Sequence, residues 1–81
     1  MSNFTLEDNI VFMQINIAIQ LMEKWSVTPS QFVELDLRYG VLDYIRLYYE
    51  PFHLTGDIGI IEEIEIYIER QGGMSNGLMG G

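Results

Sequence analysis

Apolar residues recur at helical spacing from residue 6 to residue 25, so the first part of the chain predicts a long α-helix. Thr5 is suited to cap its start, because a threonine hydroxyl can accept a backbone N–H that has no partner inside the helix. The apolar arc is unusually wide, since Phe12 and Ile19 extend it beyond one face. We therefore expect this helix to lie at the centre of a bundle or to share one flank with a second molecule. Its main apolar positions are Ile10, Val11, Ile15, Ile17, Ala18, Leu21, Met22 and Trp25.

A second helix is predicted over residues 29–39 by the clearest local signal in the chain. Thr28, Pro29 and Gln31 match an N-cap, a first-turn proline and the returning side chain of a capping box. Gly40 can take the left-handed conformation that commonly ends a helix. The side chains expected to point inward are Phe32, Val33, Leu35 and Tyr39. Asp36 falls within the same arc. Three roles are open for it: a residue at the helix edge, a partner in a buried hydrogen bond, or part of a site.

Two further helices are predicted over residues 41–50 and 58–71. Pro51 should end the third helix near Tyr49 or Glu50, because proline removes a backbone donor and restricts the residue before it. In the loop that follows, either Thr55 or Asp57 can cap the last helix. The inward face of that helix carries Ile60, Ile61, Ile64, Tyr67 and Ile68, and the opposite face carries Glu62, Glu65 and Glu69.

Two segments also alternate between apolar and polar residues, as a half-buried strand would. They are residues 15–20 and 63–69, and a strand is the alternative for each of them. The capped start and the length of the first helix favour the helical interpretation. The chain as a whole predicts an all-α fold, a small bundle of four helices in a single domain over residues 1–71. The glycine-rich residues 72–81 should form a disordered, flexible tail.

Charge and composition then narrow the classes of function. The chain has 81 residues, with 12 acidic and four basic side chains, and its formal net charge is −8. Such a field disfavours nucleic acid and anionic membranes. It either keeps the protein soluble, which is the commoner role of an acidic surface, or attracts a basic protein. The chain has no cysteine, which excludes disulfides and thiolate chemistry. The longest apolar segment is too short to span a membrane, and the first residues do not resemble a signal peptide, so we expect a cytoplasmic protein.

One loop holds the residues that are most open to a chemical role. His53 is the only histidine, and Asp57 lies close to it in sequence, so the pair could act as a general base or hold a ligand. The interpretation that we favour is a histidine whose ring closes the loop through hydrogen bonds. A second histidine or a cysteine, which a metal or thiol site would need, is absent from the chain. We therefore predict no catalytic residue, no metal site and no cofactor.

The tyrosines that precede this loop are candidates for an interaction surface. They lack the interleaved basic residues of a nucleic-acid stacking platform, and tyrosine is enriched in protein interfaces. Packing in the core is the alternative for each of them. The candidate surface comprises Tyr44, Tyr48, Tyr49, His53, Thr55 and Asp57.

Two stretches of the chain carry a family resemblance. The first is YGVLDYI at residues 39–45, and the second combines His53, the turn Thr55-Gly56-Asp57 and the acidic, isoleucine-rich helix after it. Together they resemble a family of small bacterial proteins, number thirty-seven ninety-one in the domain-of-unknown-function series. The resemblance implies an all-helical fold over roughly residues 10–70. Because that family is often encoded beside proteins that resemble ADP-ribosyltransferases, it also implies a companion or antitoxin-like role.

The sequence therefore predicts a non-enzymatic protein–protein interaction module that presents an acidic, tyrosine-edged surface to a basic protein. Two alternatives remain open. One is a small enzyme or ligand-binding domain that uses the loop of His53 and Asp57. The other is a structural homo-oligomer, such as a homodimer that forms through the wide apolar arc of the first helix.

Overall fold

The computed structural model describes residues 3–73, which form five α-helices and no strand. The helices are α1 (Leu6–Trp25), α2 (Pro29–Tyr39), α3 (Val41–Leu47), α4 (Tyr49–Phe52) and α5 (Asp57–Arg70). The all-α prediction is confirmed, and the two segments for which a strand was the alternative lie inside α1 and α5. The predicted tail over residues 72–81 lies outside the described residues, except for its first two positions.

Side-chain caps set the starts of α1 and α2, as the sequence predicts. The Thr5 hydroxyl accepts the Asp8 N–H at 3.1 Å, and the Asp8 carboxylate accepts the Thr5 N–H at 3.1 Å. Thr28 and Gln31 form the equivalent capping box at the start of α2, with distances of 3.1 and 2.8 Å. Gly40 ends α2 with a φ of 67°, in the left-handed region that glycine adopts without strain.

Asp36 links the end of α2 to the start of α3. Its Oδ1 accepts the Leu42 N–H at 2.8 Å in a partly buried hydrogen bond. Gly40 is the N-cap residue of α3 and has no side chain with which to satisfy the first amides of that helix. Asp36 supplies that missing acceptor. Of the roles that the sequence left open for Asp36, a hydrogen-bonding one is therefore observed.

The predicted end of the third helix, at residue 50, is wrong. The chain leaves helical geometry at Tyr48, with φ −106° and ψ 23°, and Pro51 lies in the first turn of α4. A proline ring clashes with the carbonyl four residues earlier, here that of Leu47, so a helix that continues through it is kinked or broken. In the first turn of a new helix proline lacks only an N–H that would have no helical partner. The break therefore falls before the proline rather than at it.

The predicted cap of the last helix is also wrong. Gly56 occupies the N-cap position of α5, and no side chain caps this helix. The Thr55 hydroxyl donates instead to the Pro51 carbonyl at 2.9 Å, within the preceding turn. The Asp57 carboxylate accepts hydrogen bonds from side chains of α1. Both candidate capping residues are therefore committed to partners outside α5.

Polar contacts fix the direction in which α3 packs on α1. Near the start of α1, the Glu7 carboxylate accepts two hydrogen bonds from the Arg46 guanidinium, of 2.7 and 2.6 Å. Further along, Gln14 Nε2 donates to the Leu42 carbonyl at 2.8 Å. The contact residue in α3 has a lower number where the contact residue in α1 has a higher one, so the two helices are antiparallel.

The second half of α1 packs against α5 in a parallel direction. At the start of α5, the Asp57 carboxylate accepts the side-chain amides of Asn16 and Gln20 at 3.3 and 2.8 Å. Further along, Glu65 accepts the indole N–H of Trp25 at 2.9 Å. This bond satisfies the one polar group of a buried tryptophan, which would otherwise be left without a partner.

One apolar core lies between α1, α3 and α5, and α2 covers one side of it. Two residues that the sequence predicts to point inward do not do so, because Val33 on α2 and Ile15 on α1 are each about half exposed. These helices contact the bundle along a narrower stripe than their apolar arcs suggest. The side chains that are fully buried are Ile17, Leu21, Val41, Ile45, Ile64 and Ile68.

Candidate interaction surface

An open groove lies between α5 and the pair α3 and α4, and tyrosines line it. It consists of two adjoining depressions that share Tyr44, Tyr48 and Glu63, and we call it the tyrosine groove. The first depression has a volume of about 530 Å³ and the second of about 450 Å³. The first also includes Asp43, Tyr67 and Arg70, and the second also includes Pro51, Phe52, Thr55 and Glu62.

Aromatic packing holds the groove in shape. The rings of Tyr44 and Tyr67 are stacked, with centroids 3.9 Å apart and an interplanar angle of 17°. Tyr48 and Phe52 pack on Tyr44 in tilted and edge geometries, with centroid distances of 4.8 and 5.8 Å. The Tyr67 hydroxyl donates to the Tyr39 carbonyl at 2.6 Å, which ties α5 to the end of α2. Tyr44 is therefore partly buried, whereas Tyr48 stays 43% exposed at the edge of the groove.

Carboxylates surround these rings. Asp43, Glu62 and Glu63 are all exposed, and Arg70 is the basic residue at the far end of the first depression. Burial raises the pKa of the Tyr44 phenol, and the charge of Glu63 raises it further, while Arg70 acts in the opposite direction. The charge that Tyr44 senses most strongly is thus a negative one.

Three residues of the predicted surface meet in this groove. Tyr44 lies in the middle of α3, and Tyr48 follows four residues later, between α3 and α4. Thr55 reaches the second depression from the loop between α4 and α5. Their proximity follows from the short chain that connects them, since Thr55 comes seven residues after Tyr48.

The other three predicted residues do not line the groove. Tyr49 packs on His53, with ring centroids 5.2 Å apart, and His53 Nε2 lies 3.9 Å from Glu50 Oε1. Asp57 faces α1, where it accepts the two side-chain amides described above. His53 and Asp57 therefore have different partners, and the structure does not assemble them into one site.

Glu63, Tyr67 and Arg70 also line the groove, although the sequence did not predict them for an interaction surface. All three lie on one edge of α5, because residues three and four apart are neighbours on a helix. That spacing was available as a signal of a mixed aromatic and charged edge. The stacking of Tyr67 on Tyr44 could not be predicted in this way, because it depends on how α5 packs against α3.

A second surface of note is the side of α1 that faces away from the core. Phe12, Ile15 and Ile19 are 47, 53 and 49% exposed, and we call them the α1 outer face. Phe4 packs edge-on against Phe12, with a centroid distance of 5.0 Å. The wide apolar arc of α1 is therefore only partly used by the core.

In the part of the chain that the structure describes, no group of three or more acidic or histidine side chains is placed to hold a metal ion. Within residues 3–73, no helix has both the length and the apolar character that crossing a membrane requires.

A family model described as a protein of unknown function, DUF3791, matches residues 13–71, which include the whole tyrosine groove. This match confirms the family suggested by the sequence resemblance. No curated protein and no solved structure matches the chain.

Proposed function

The chain belongs to the DUF3791 family of proteins of unknown function, and we propose that it is a non-enzymatic protein–protein interaction module of the bacterial cytoplasm that binds a basic protein through the tyrosine groove. The observation that carries this proposal is the composition of the groove. Tyrosine rings that are fixed by mutual stacking lie beside Asp43, Glu62 and Glu63 on a chain with a net charge of −8.

The tyrosines supply the contact area of the proposed interface. Tyrosine presents a large, rigid ring with a polar end, and it is enriched among the residues that dominate binding energy. Tyr48 is held by Tyr44 and Phe52 yet keeps 43% of its surface exposed. A side chain that is already ordered loses little conformational entropy on binding, so more of its contact energy is available to the complex.

The carboxylates supply the selectivity. A surface of one sign accelerates the encounter with a partner of the opposite sign and disfavours partners of its own sign. Asp43, Glu62 and Glu63 are exposed around the rings, so a basic protein surface is the complementary one. The same charges act against a nucleic-acid backbone in this groove.

The partner that we propose is an ADP-ribosyltransferase-like protein encoded beside this one, toward which the chain acts as a companion or antitoxin. The gene neighbourhood that the family resemblance implies supports this choice of partner. The proposal requires the partner to carry a basic patch that fits the groove.

The non-enzymatic part of the proposal is supported by the placement of the only histidine. His53 packs on Tyr49 and lies near Glu50, while Asp57 is engaged with α1. A general base needs an orienting partner and a place for substrate, and these two side chains do not provide both together. The interaction module is therefore the simpler account of this loop.

The experiment is a capture of partners from the protein's own cells with matched variants. Tyr48→Ala removes the exposed ring of the groove, and Leu37→Ala removes an 81% exposed apolar side chain on α2 as the control. We expect one basic protein that binds wild type and Leu37→Ala and is lost with Tyr48→Ala. The proposal fails if nothing binds, or if Tyr48→Ala retains the partner as well as wild type does.

A second candidate function is a homodimer that forms through the α1 outer face, either instead of the complex with a basic protein or together with it. Residues 9–22 contain no charged side chain, whereas the chain as a whole carries a net charge of −8. Two copies of so acidic a protein repel one another least where that uncharged helix is exposed. Phe12, Ile15 and Ile19 supply apolar area at the same place.

Sedimentation velocity over a concentration series tests this second candidate. A self-associating chain shows a sedimentation coefficient that rises with concentration, and Ile15→Glu, at a half-exposed position, should abolish the rise without unfolding the protein. A wild-type coefficient that stays at the monomer value would rule the homodimer out.

A further inference from the structure

We propose that the second depression of the tyrosine groove holds the side chain of a single arginine from the partner, with its guanidinium group between the ring of Tyr48 and the carboxylate of Glu63. This inference rests on the proposed function, because it names the group by which a basic partner is recognised. It assigns the binding to one depression of the groove and to one type of side chain.

The choice of the second depression follows from its charges. Among the described residues that line it, two are acidic, Glu62 and Glu63, and none is basic. The first depression also contains Asp43 and Glu63, but Arg70 lies there and opposes a second cation. A cationic side chain therefore meets the more favourable field next to Tyr48, away from Arg70.

The apolar lining suits the stem of an arginine. Pro51 and Phe52 belong to the same depression, and Phe52 lies with its ring centroid 6.2 Å from that of Tyr48. Long cationic side chains bury their methylene groups along apolar surface while the charged head stays at a polar rim. The depression offers both parts, because the buried ring of Phe52 and the exposed carboxylates of Glu62 and Glu63 line it together.

Arginine fits better than lysine for reasons of shape. The guanidinium group is planar, stacks on aromatic rings and binds a carboxylate with two parallel hydrogen bonds. Tyr48, which is 43% exposed, and the exposed carboxylate of Glu63 line the same depression and match these two properties at once. An ammonium group is more strongly hydrated and has no flat face to stack.

The test is an NMR titration with two capped tripeptides. One has arginine between two glycines, and the other has citrulline, which has nearly the same shape and no charge. We expect the arginine peptide to shift the amide signals of Tyr48, Phe52 and Glu63, and the citrulline peptide to bind more weakly by roughly two- to fivefold or more.

Matched variants separate a specific pocket from general charge attraction. Glu63→Gln and Glu69→Gln remove the same charge from exposed positions of the same helix, and only Glu63 lines the groove. Glu63→Gln should weaken the arginine peptide by roughly two- to fivefold, whereas Glu69→Gln should leave its affinity unchanged. Tyr48→Leu should weaken it as well, with the far-UV circular dichroism spectrum confirming that each variant is folded.

Equal losses for Glu63→Gln and Glu69→Gln, or equal shifts from both peptides, would overturn the inference. Repeating the partner capture with Glu63→Gln separates it from the proposed function. If the partner binds wild type and Glu63→Gln equally, the arginine pocket is wrong and the interaction module stands. If the arginine peptide binds as expected but no protein partner is captured, the pocket stands and the proposed function is wrong.

Discussion

The hydroxyl of Tyr67 supports one wall of the tyrosine groove, and its removal is the sharpest test of how the groove is built. This hydroxyl donates to the Tyr39 carbonyl at 2.6 Å in a partly buried position. The substitution Tyr67→Phe deletes the hydroxyl alone and keeps the ring that stacks on Tyr44. The effect of the hydrogen bond is therefore separated from that of the aromatic packing.

The expected cost follows from the two groups involved. A typical hydrogen bond contributes about 0.5–1.5 kcal/mol net, and a buried acceptor left without a partner costs about 1–3 kcal/mol. Because the Tyr39 carbonyl is only partly buried, water can replace some of the lost bond. We expect Tyr67→Phe to lower the free energy of unfolding by about 1–2 kcal/mol, which is a fall of roughly 4–16 °C in the melting temperature of a domain this small.

Urea unfolding followed by far-UV circular dichroism measures this difference. Tyr48→Phe is the matched control, because it removes the hydroxyl of an exposed tyrosine in the same groove and should change stability by less than about 0.5 kcal/mol. If Tyr67→Phe changed stability no more than Tyr48→Phe does, the hydrogen bond between α5 and α2 would not stabilise the groove, and our account of its wall would be refuted.

Burial and charge lead to three further predictions, one about the stability of isoleucine variants and two about the pKa values of Glu7 and Tyr44. Ile17→Ala should cost about 2–5 kcal/mol in urea unfolding because Ile17 is fully buried, whereas Ile15→Ala should cost less than about 0.5 kcal/mol. The hydrogen bond from Arg46 lowers the pKa of Glu7 below 4.5, so an NMR titration of Arg46→Gln should show the Glu7 pKa returning toward 4.5. The stabilisation of the folded state by this pair is present above pH 4.5 and is lost as the pH falls through the lowered pKa of the folded protein. Burial raises the pKa of Tyr44 above 10.0, so the folded state should lose stability as the pH rises above 10.0 and through that raised value. Equal costs for the two isoleucines, an unchanged Glu7 pKa or ionisation of Tyr44 at or below pH 10.0 would contradict these expectations.

Local signals predict α1 and α2 well because each start is encoded within four residues. The capping boxes of Thr5 and Thr28 need only their own turn of chain, and Gly40 ends α2 by its own conformational freedom. The limits of α3 and α4 are harder to predict, because Pro51 disfavours a continuous helix without fixing the residue at which the break falls. The start of α5 carries no side-chain cap, because Gly56 is its N-cap residue and the Asp57 side chain binds α1 rather than its own helix.

The groove could be predicted only in the part that neighbouring residues build. Tyr44 and Tyr48 lie one helical turn apart, so the sequence alone places them together. Glu63 and Tyr67 join them through the packing of α5, which no local pattern encodes. His53 shows the reverse case, since its closeness in sequence to Asp57 left a joint site open as an alternative, whereas the two side chains contact different partners in the structure.

The central claim is that the tyrosine groove binds a basic protein, and site-specific photo-crosslinking tests it most directly. A p-benzoylphenylalanine residue replaces Tyr48 in one variant and Leu37, an exposed position on α2, in the other. After irradiation of intact cells, mass spectrometry identifies what each position has captured. Our account predicts an adduct with a single basic protein at position 48 and no such adduct at position 37. An adduct with that protein only at position 37, or none at either position, would contradict it.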